Sequence, residues 1–183
     1  MNLEKLKYPI GKFQAPDIIT QSQLDKWMQD IKSFPEKMAS LVQKLPDEQL
    51  ALKYRPNGWS IKEVVHHTAD SHMNAVIRFK WALTEEKPTI KPYLEAKWIQ
   101  LNDAQSCSVD ISLALLKALH HRWYSLMEGL DEDQWDRQYH HPDHASILNL
   151  KKTAGMYSWH CRHHTAHVIN ALDTIDAAWN KNT

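Results

Sequence analysis

Histidine is frequent in this chain and recurs at a spacing that suits metal binding. The 183 residues include 12 His, for which random placement gives about one pair at i,i+4. Three such pairs occur, namely His140/His144, His160/His164 and His163/His167. Residues four apart on a helix have neighbouring side chains, so two imidazoles there can reach one ion. The pattern therefore indicates a divalent metal site.

The face of the last predicted helix distinguishes two of these pairs. His164 lies on its apolar stripe and His160 is about 40° from it, whereas His163 is about 100° away. We therefore expect His160 and His164 to face the interior, with His163 and His167 flanking them. His140 and His144 lie on either side of Pro142, and we expect this pair to be non-helical.

A divalent site needs at least a third ligand, and the second predicted helix carries the candidates. These are His66, His67, Asp70 and His72. Spacing alone does not choose among them. Asp70 can orient a ligand imidazole or be a solvated side chain. His72 lies on the apolar face of its helix, as a core residue or as a polar group in a pocket.

Four amphipathic helices must position these side chains. Apolar residues recurring at three and four predict helices over about 21–45, 60–83, 110–128 and 150–179. Ser60 and Glu63 form a capping box at the start of the second. Pro35 is expected to kink or restart the first helix, and Asp110 and Gly129 are expected to bound the third.

The order of these helices predicts an all-α fold in one domain, residues 1–183. Residues 84–108 contain two prolines and are expected to form a long crossover between helices 2 and 3 that includes one turn of helix. The fold is then a four-helix bundle in which the long crossover changes the simple up-and-down order of the helices. Residues 1–19 are expected to form an extended arm over the domain. A faint repeat with an offset of 85 residues suggests two related helical hairpins.

Composition excludes several function classes. Only 4 Gly are present, which argues against glycine-rich Rossmann and P-loop sites. Lys plus Arg and Asp plus Glu both number 22, so no overall field favours nucleic acid or an anionic membrane. No run approaches the ~20 apolar residues that span a bilayer. The two cysteines form no Cys-x-x-Cys pair, and Met1–Leu6 lacks the apolar run of a signal peptide. We expect a cytoplasmic protein.

Two segments resemble the DinB/YfiT-like superfamily of metal-dependent hydrolases. Residues 58–73 (GWSIKEVVHHTADSHM) are similar to its second-helix motif, and residues 157–164 (YSWHCRHH) to its last helix. Residues 8–11 and 77–93 are similar to the YfiT branch, so the resemblance covers nearly the whole chain. It implies a metal held by the His eight residues after the motif Trp and by an i,i+4 pair on the last helix. These residues are His67, His160 and His164.

The resemblance also implies a function. It predicts a hydrolase with one divalent ion per chain, zinc or nickel, held by three His with open water positions, and a small-molecule substrate. The alternatives are a metal-dependent transferase that activates a low-molecular-weight thiol such as bacillithiol, and a non-catalytic metal-binding bundle. The YfiT branch further implies a homodimer.

The other candidate residues have weaker predictions. Asp70 and His163 are candidates to orient the ligand imidazoles, and no general base is identified. Cys161 is expected to be a small buried apolar side chain. Five further histidines have no assigned role, namely His120, His121, His140, His141 and His144. Solvent exposure is expected for them, and a second, weak metal site is the alternative.

Overall fold

The computed structural model describes residues 3–144 and 146–179, with side chains over 3–143 and 147–173. The helices are α1 Leu3–Lys7, α2 Gln21–Val42, α3 Asp47–Leu50, α4 Ile61–Thr84, α5 Glu95–Trp98, α6 Asn102–Ser106, α7 Val109–Glu128, α8 Glu132–Trp135 and α9 Leu150–Trp179. An antiparallel hairpin joins α8 to α9, with strands β1 Gln138–His141 and β2 Ser146–Asn149 and a 3-10 turn Pro142–His144 between them. The all-α prediction omitted this hairpin.

The four long helices form the predicted bundle. α2 packs against α7 and α9, and α4 packs against the same two helices. The sequential long helices α2 and α4 therefore lie diagonally across the bundle, as do α7 and α9. Apolar side chains from all four helices fill the centre, and among them Ile31, Val65, Leu116 and Val168 are fully buried. This order places α4 beside α9, which brings together the two histidine-rich segments.

Local capping explains where α4 and α7 begin. The Glu63 N–H donates to Ser60 Oγ at 3.2 Å, and the Ser60 N–H donates to Glu63 Oε2 at 2.7 Å. The predicted capping box is confirmed. The prediction that Asp110 caps α7 was wrong, because the Asp110 N–H itself donates to Ser108 Oγ at 3.2 Å. Ser108 is the N-cap, since its hydroxyl precedes the helix and accepts from a free N–H of the first turn. Gly129 ends the helix as predicted.

α2 continues through Pro35 without a restart, so that part of the prediction was wrong. A proline inside a helix has no N–H to donate to the carbonyl four residues earlier. The carbonyl of Ile31 therefore lacks its usual helical donor. Packing compensates for this loss, because Ile31, Phe34 and Pro35 are all buried against neighbouring helices.

The two halves of the bundle have corresponding connections. The short helix α3 lies between α2 and α4, and the short helix α8 lies between α7 and α9. The Ile61 N–H donates to the Leu52 carbonyl, and the Leu150 N–H donates to the Arg137 carbonyl. These bonds join the start of a long helix to the chain just after the short helix in each half. The suggested repeat thus has a structural counterpart.

The N-terminal arm and the crossover differ in detail from their predictions. The arm was expected to be extended, but it begins with α1, and only the chain from Tyr8 to Thr20 is irregular. It lies over α9, where Trp159 Nε1–H donates to the Gly11 carbonyl at 3.0 Å. The crossover contains two short helices, α5 and α6, instead of one turn. No helix in the described ranges has the length and apolar character needed to cross a bilayer.

Candidate metal centre

Three imidazoles from two helices converge inside the bundle. His67 comes from α4, while His160 and His164 come from successive turns of α9. One ring nitrogen of each lies within 4.8 Å of the others, and His67 Nε2 is 3.3 Å from His160 Nε2. Two nitrogens bound to one tetrahedral zinc at ~2.0 to 2.1 Å are about 3.3 Å apart. The three residues therefore suit a divalent ion, and they are the three that the resemblance predicted.

Burial gives this cluster its electrostatic character. His67 and His164 are buried, whereas His160 is half-buried. Burial, together with a smaller contribution from the nearby His167, lowers the pKa of His67 to about 3. Burial also holds the pKa of His160 and of His164 well below the ordinary value, with smaller contributions from the neighbouring imidazoles. All three rings are therefore neutral at pH 7, the form that binds a metal.

A buried chain of imidazoles leads from the cluster to a backbone carbonyl. His120 Nδ1 lies 2.6 Å from the Ile31 oxygen, His72 Nδ1 lies 2.7 Å from His120 Nε2, and His160 Nδ1 lies 3.0 Å from His72 Nε2. The carbonyl can only accept, so His120 must donate Nδ1–H to it. For neutral rings, His120 Nε2 then accepts from His72, and His72 Nε2 accepts from His160. The lone pair of His160 is left on Nε2, facing His67.

A second, shorter chain orients the other ligand of α9. His167 Nε2–H donates to the carbonyl of Lys7, the last residue of α1, at 3.2 Å. His167 Nδ1 is then the acceptor from His164 Nδ1–H at 3.4 Å, which leaves the lone pair of His164 on Nε2. The ring of His167 is held by stacking on Tyr54 at 3.7 Å between centroids. Partners that fix the tautomer of a ligand imidazole are a common feature of metal sites.

His72 and His120 are the functional residues that sequence reasoning left unassigned or missed. Exposure was expected for His120 and His141, and that prediction was wrong, because both are buried. His120 continues the apolar stripe of α7, four residues after Leu116, and this spacing was the available signal. His141 occupies an inward position of β1. His121 is exposed as expected, His140 is half-buried, and the His144 side chain lies outside the described residues.

The structure does not bring Asp70 to the cluster. Its carboxylate has no hydrogen bond to an imidazole among the described residues. Burial, together with a smaller contribution from the negative charge of Asp103 on α6, raises the pKa of Asp70 to about 6. Asp70 is half-buried and lies within electrostatic range of Asp103. The hypothesis that it orients a ligand finds no contact to support it.

His66 and His163 also lie outside the cluster. His66 Nδ1 is 2.8 Å from Ser112 Oγ on α7, so its ring points to a different neighbour from that of His67. The ring of His163 stacks on Trp159 with 4.3 Å between centroids and meets His164 edge-on at 5.0 Å. It forms no hydrogen bond to a ligand within the described chain, and its Nδ1 is buried without a partner there. His163 therefore flanks the site through ring packing.

A cavity of about 610 Å³ opens beside His160. Tyr157 and Trp159, which precede this ligand on α9, line it together with residues of the crossover. Trp59 packs against the cluster, with its ring centroid 4.5 Å from that of His67. Cys161 is buried, and burial raises the pKa of its thiol well above the ordinary value, as expected of a small apolar side chain.

Known proteins are similar to this chain in both sequence and architecture. The family model of the DinB superfamily matches residues 31–168. A Bacillus subtilis protein named "putative metal-dependent hydrolase YfiT" is 44% identical over 168 residues, which cover 92% of this chain and 94% of that protein. A Bacillus mycoides protein with the same description is 42% identical over 174 residues, covering 95% and 99%.

Solved structures agree with these matches. The structure of YfiT from Bacillus subtilis, described as "a probable metal-dependent hydrolase with an unusual four-helix bundle topology", has a TM-score of 0.91 and 42% identity, covering 94% of this chain and 98% of that chain. A mycothiol-dependent maleylpyruvate isomerase has a TM-score of 0.61 at 15% identity, covering 81% and 60%. The second likeness extends to the fold alone.

Proposed function

The chain belongs to the DinB superfamily, and from this premise we propose that it is a metal-dependent hydrolase with one divalent ion, zinc or nickel, held by His67, His160 and His164. The observation that carries the proposal is the convergence of three neutral imidazoles, with 3.3 Å between two of their Nε2 atoms. The names of its relatives support the same class of activity.

The donor set suits catalysis better than a purely structural role. Three protein ligands leave at least one coordination position open, which is the arrangement of catalytic zinc sites. When bound, the ion would supply Lewis-acid chemistry that lowers the pKa of a water or thiol toward neutrality. His160 connects this centre to the cavity, because it is both a member of the cluster and part of the cavity wall.

The protein's own residues hold the ligands in position. His72 and His120 direct the Nε2 lone pair of His160 inward, and His167 does the same for His164. Trp59 covers the ring of His67, which restricts access of bulk water from that side. The cavity walls at Tyr157 and Trp159 are aromatic, so an organic substrate can pack beside the centre.

A turnover screen tests this proposal and separates it from its alternatives. The zinc-loaded and nickel-loaded proteins are assayed with ester and amide substrates, and in parallel with a panel of thiols and an electrophile. Hydrolysis that needs the ion and is lost in His160→Ala supports the proposal. Product that needs a thiol identifies a thiol transferase instead, and metal binding without turnover identifies a non-catalytic bundle. His121→Ala, at an exposed position, is the matched control. The homodimer implied by the resemblance stays a prediction, to be checked by light scattering.

A further inference from the structure

Arg78 is a buried cation without a salt-bridge partner among the described residues. It lies on α4 and is only 6% exposed. Its Nη1 donates to Tyr157 Oη at 3.3 Å, and the described residues provide no other hydrogen bond to the guanidinium. The ion pairs in the described part of the chain involve other residues. Four of its five N–H donors are therefore left for another partner.

A buried charge with no anion in close contact is costly. Removing a guanidinium from water carries a large desolvation penalty, which paired anions normally offset. Tyr157 offsets little of it, because a phenol is neutral and its own hydroxyl also donates to the Ser71 carbonyl at 3.2 Å. A buried Arg that lacks an internal ion pair is thus suited to receive an anion from a ligand.

Arg78 lines the same cavity as His160. The volume of about 610 Å³ is in the range of small-molecule sites. Tyr93, whose hydroxyl is buried, is a further polar group of this wall. The apolar part of the lining includes Pro92, Leu94, Leu148, Met156 and Trp159, and the other charged side chains of the wall are Glu95, Lys97 and Asp143. The cavity combines one buried cation with an apolar surface, beside one ligand of the candidate metal centre.

Glu95 is the acidic group that acts on Arg78 from the crossover. It belongs to α5 and also lines the cavity. Burial raises the pKa of Glu95, and the charge of Arg78 partly opposes that shift. The two side chains therefore interact at a distance, without the close contact of an ion pair. A ligand anion at Arg78 would be repelled by the Glu95 carboxylate.

We propose that this cavity binds the substrate, and that Arg78 recognises a carboxylate on it while the apolar wall holds the remainder. Arginine pairs with a carboxylate through two parallel N–H···O bonds, which gives both strength and orientation. The substrate class is therefore an organic acid with an apolar portion. This assignment rests on the proposed function, because the cavity serves a substrate of the metal centre through His160.

The test compares phenylacetate with its neutral analogue phenylacetamide by isothermal titration calorimetry. The full-length protein is used both zinc-loaded and after treatment with EDTA, since zinc itself attracts carboxylates and the metal-free form isolates Arg78. We expect phenylacetate to bind the metal-free protein at least about tenfold more tightly than the amide. Equal affinities for the two compounds would overturn the proposal.

Substitutions identify the residue responsible. Arg78→Gln should abolish the preference for phenylacetate, Arg78→Lys should keep part of it, and Glu95→Gln should increase it because a competing negative charge is removed. Arg122→Gln, on the exposed face of α7, is the matched control and should change nothing. A preference that survives Arg78→Gln refutes the assignment. If that variant does not fold, the NMR chemical shift of Arg78 Nε–H in the wild-type protein tests the assignment. It must change during titration with phenylacetate, and an unchanged shift refutes the assignment.

The outcomes distinguish this inference from the proposed function. If the metal-free protein does not prefer phenylacetate but metal-dependent hydrolysis is observed, the anion site is wrong and the proposed function stands. If the preference is present but no substrate is turned over with any metal, the anion site stands and the hydrolase assignment fails.

Discussion

His120 donates its Nδ1–H to the carbonyl oxygen of Ile31 across 2.6 Å. This acceptor is free because Pro35, four residues later in α2, has no N–H to occupy it. The single bond sets the tautomers of His120, His72 and His160 in turn. A helix position that weakens α2 thus determines which nitrogen of a candidate ligand faces the metal centre.

Substitution of any one ligand by alanine should abolish stoichiometric metal binding. His67→Ala, His160→Ala and His164→Ala each leave two imidazoles, fewer than the three protein ligands of catalytic zinc sites. Elemental analysis of the purified, zinc-loaded variants should give well under half of the wild-type content. Full retention of zinc in any of the three would show that the cluster is not the binding site.

Two neighbouring histidines provide matched controls. His66 is bonded to Ser112 and His163 is stacked on Trp159, so neither contributes a ligand atom. His66→Ala and His163→Ala should keep the wild-type zinc content. Loss of zinc in either one, with the fold intact by circular dichroism, would mean that the ligand set is larger than three.

Removing the end of the imidazole chain should weaken metal binding without removing a ligand. His120→Leu fills the same space but cannot hold His72, and we expect a loss of about 10- to 100-fold in zinc affinity. Competition with a chromophoric chelator measures it. His120→Gln keeps one donor and one acceptor and should recover much of the lost zinc affinity. If the imidazole chain had no influence on the site, the wild type and both variants would bind zinc with equal affinity. Nitrogen-15 spectra of the metal-free protein should show a protonated Nδ1 on His72 and His160.

Pro35→Ala should separate helix stability from metal affinity. Alanine restores the N–H of α2 and is far better than proline in a helix interior, by roughly 3 kcal/mol. The new donor competes with His120 for the Ile31 carbonyl, so zinc affinity should fall by several-fold, less than in His120→Leu. Urea denaturation and chelator competition on the same variant provide the two readouts. Unchanged affinity would indicate that the carbonyl accepts both bonds without cost.

The metal-free protein should lose stability in mild acid. His67 and His120 have pKa values lowered to about 3 and about 4 in the folded state, whereas an unfolded histidine titrates near 6.5. Below that pH the unfolded chain binds more protons than the folded one, so the free energy of unfolding falls as the pH falls. Each such histidine contributes a slope of about 1.4 kcal/mol per pH unit between its two pKa values. Above pH 7 this contribution is constant.

Urea denaturation in EDTA at several pH values between 8 and 5 measures this effect. His120→Gln removes one of the titrating groups and should give a shallower slope than the wild type. A free energy of unfolding that stays flat down to pH 5 would contradict the buried, neutral state of these rings.

Gly155→Ala should destabilise the bundle through overpacking. A Cβ at this position would lie 2.8 Å from Trp27 Cη2, with two further ring atoms within 3.0 Å. The indole is rigid and buried, so the two helices must move apart, at a cost of about 1 to 3 kcal/mol. The better helix propensity of alanine returns about 1 kcal/mol at most.

Gly129→Ala is the control for that substitution, because the nearest atoms to its Cβ are 3.8 Å away. Thermal unfolding of both variants should show a clearly lower midpoint for Gly155→Ala alone. Equal midpoints would mean that Trp27 can adjust without cost.

Much of the local structure follows from short-range patterns. The capping box at Ser60 and Glu63 was predictable because the two groups are three residues apart. The pairing of His160 with His164 was predictable because a helix places i and i+4 on one face. The end of α7 at Gly129 was predicted in the same way. The hairpin at 138–149 was missed, because its strands have only four residues each and their signal is weak beside the flanking helices.

The choice of His67 over its neighbours did not follow from periodicity. Only the resemblance to known motifs selected it, since His66, His67 and His72 are all buried on α4. Their roles differ because α4 is surrounded on several sides: His66 meets Ser112 of α7, and His72 meets His120 of the same helix. A helical wheel indicates the direction of a side chain but not the helix it meets.

The spacing of apolar residues and of histidines predicted four amphipathic helices and an inward pair of imidazoles, because both depend on positions within one or two helical turns. The bonds of His72 to His120, 48 residues away, and of Arg78 to Tyr157, 79 residues away, did not follow from any such spacing. Such partners depend on which helices are adjacent and how they are rotated. Those quantities result from the packing of the whole core, which no local spacing encodes.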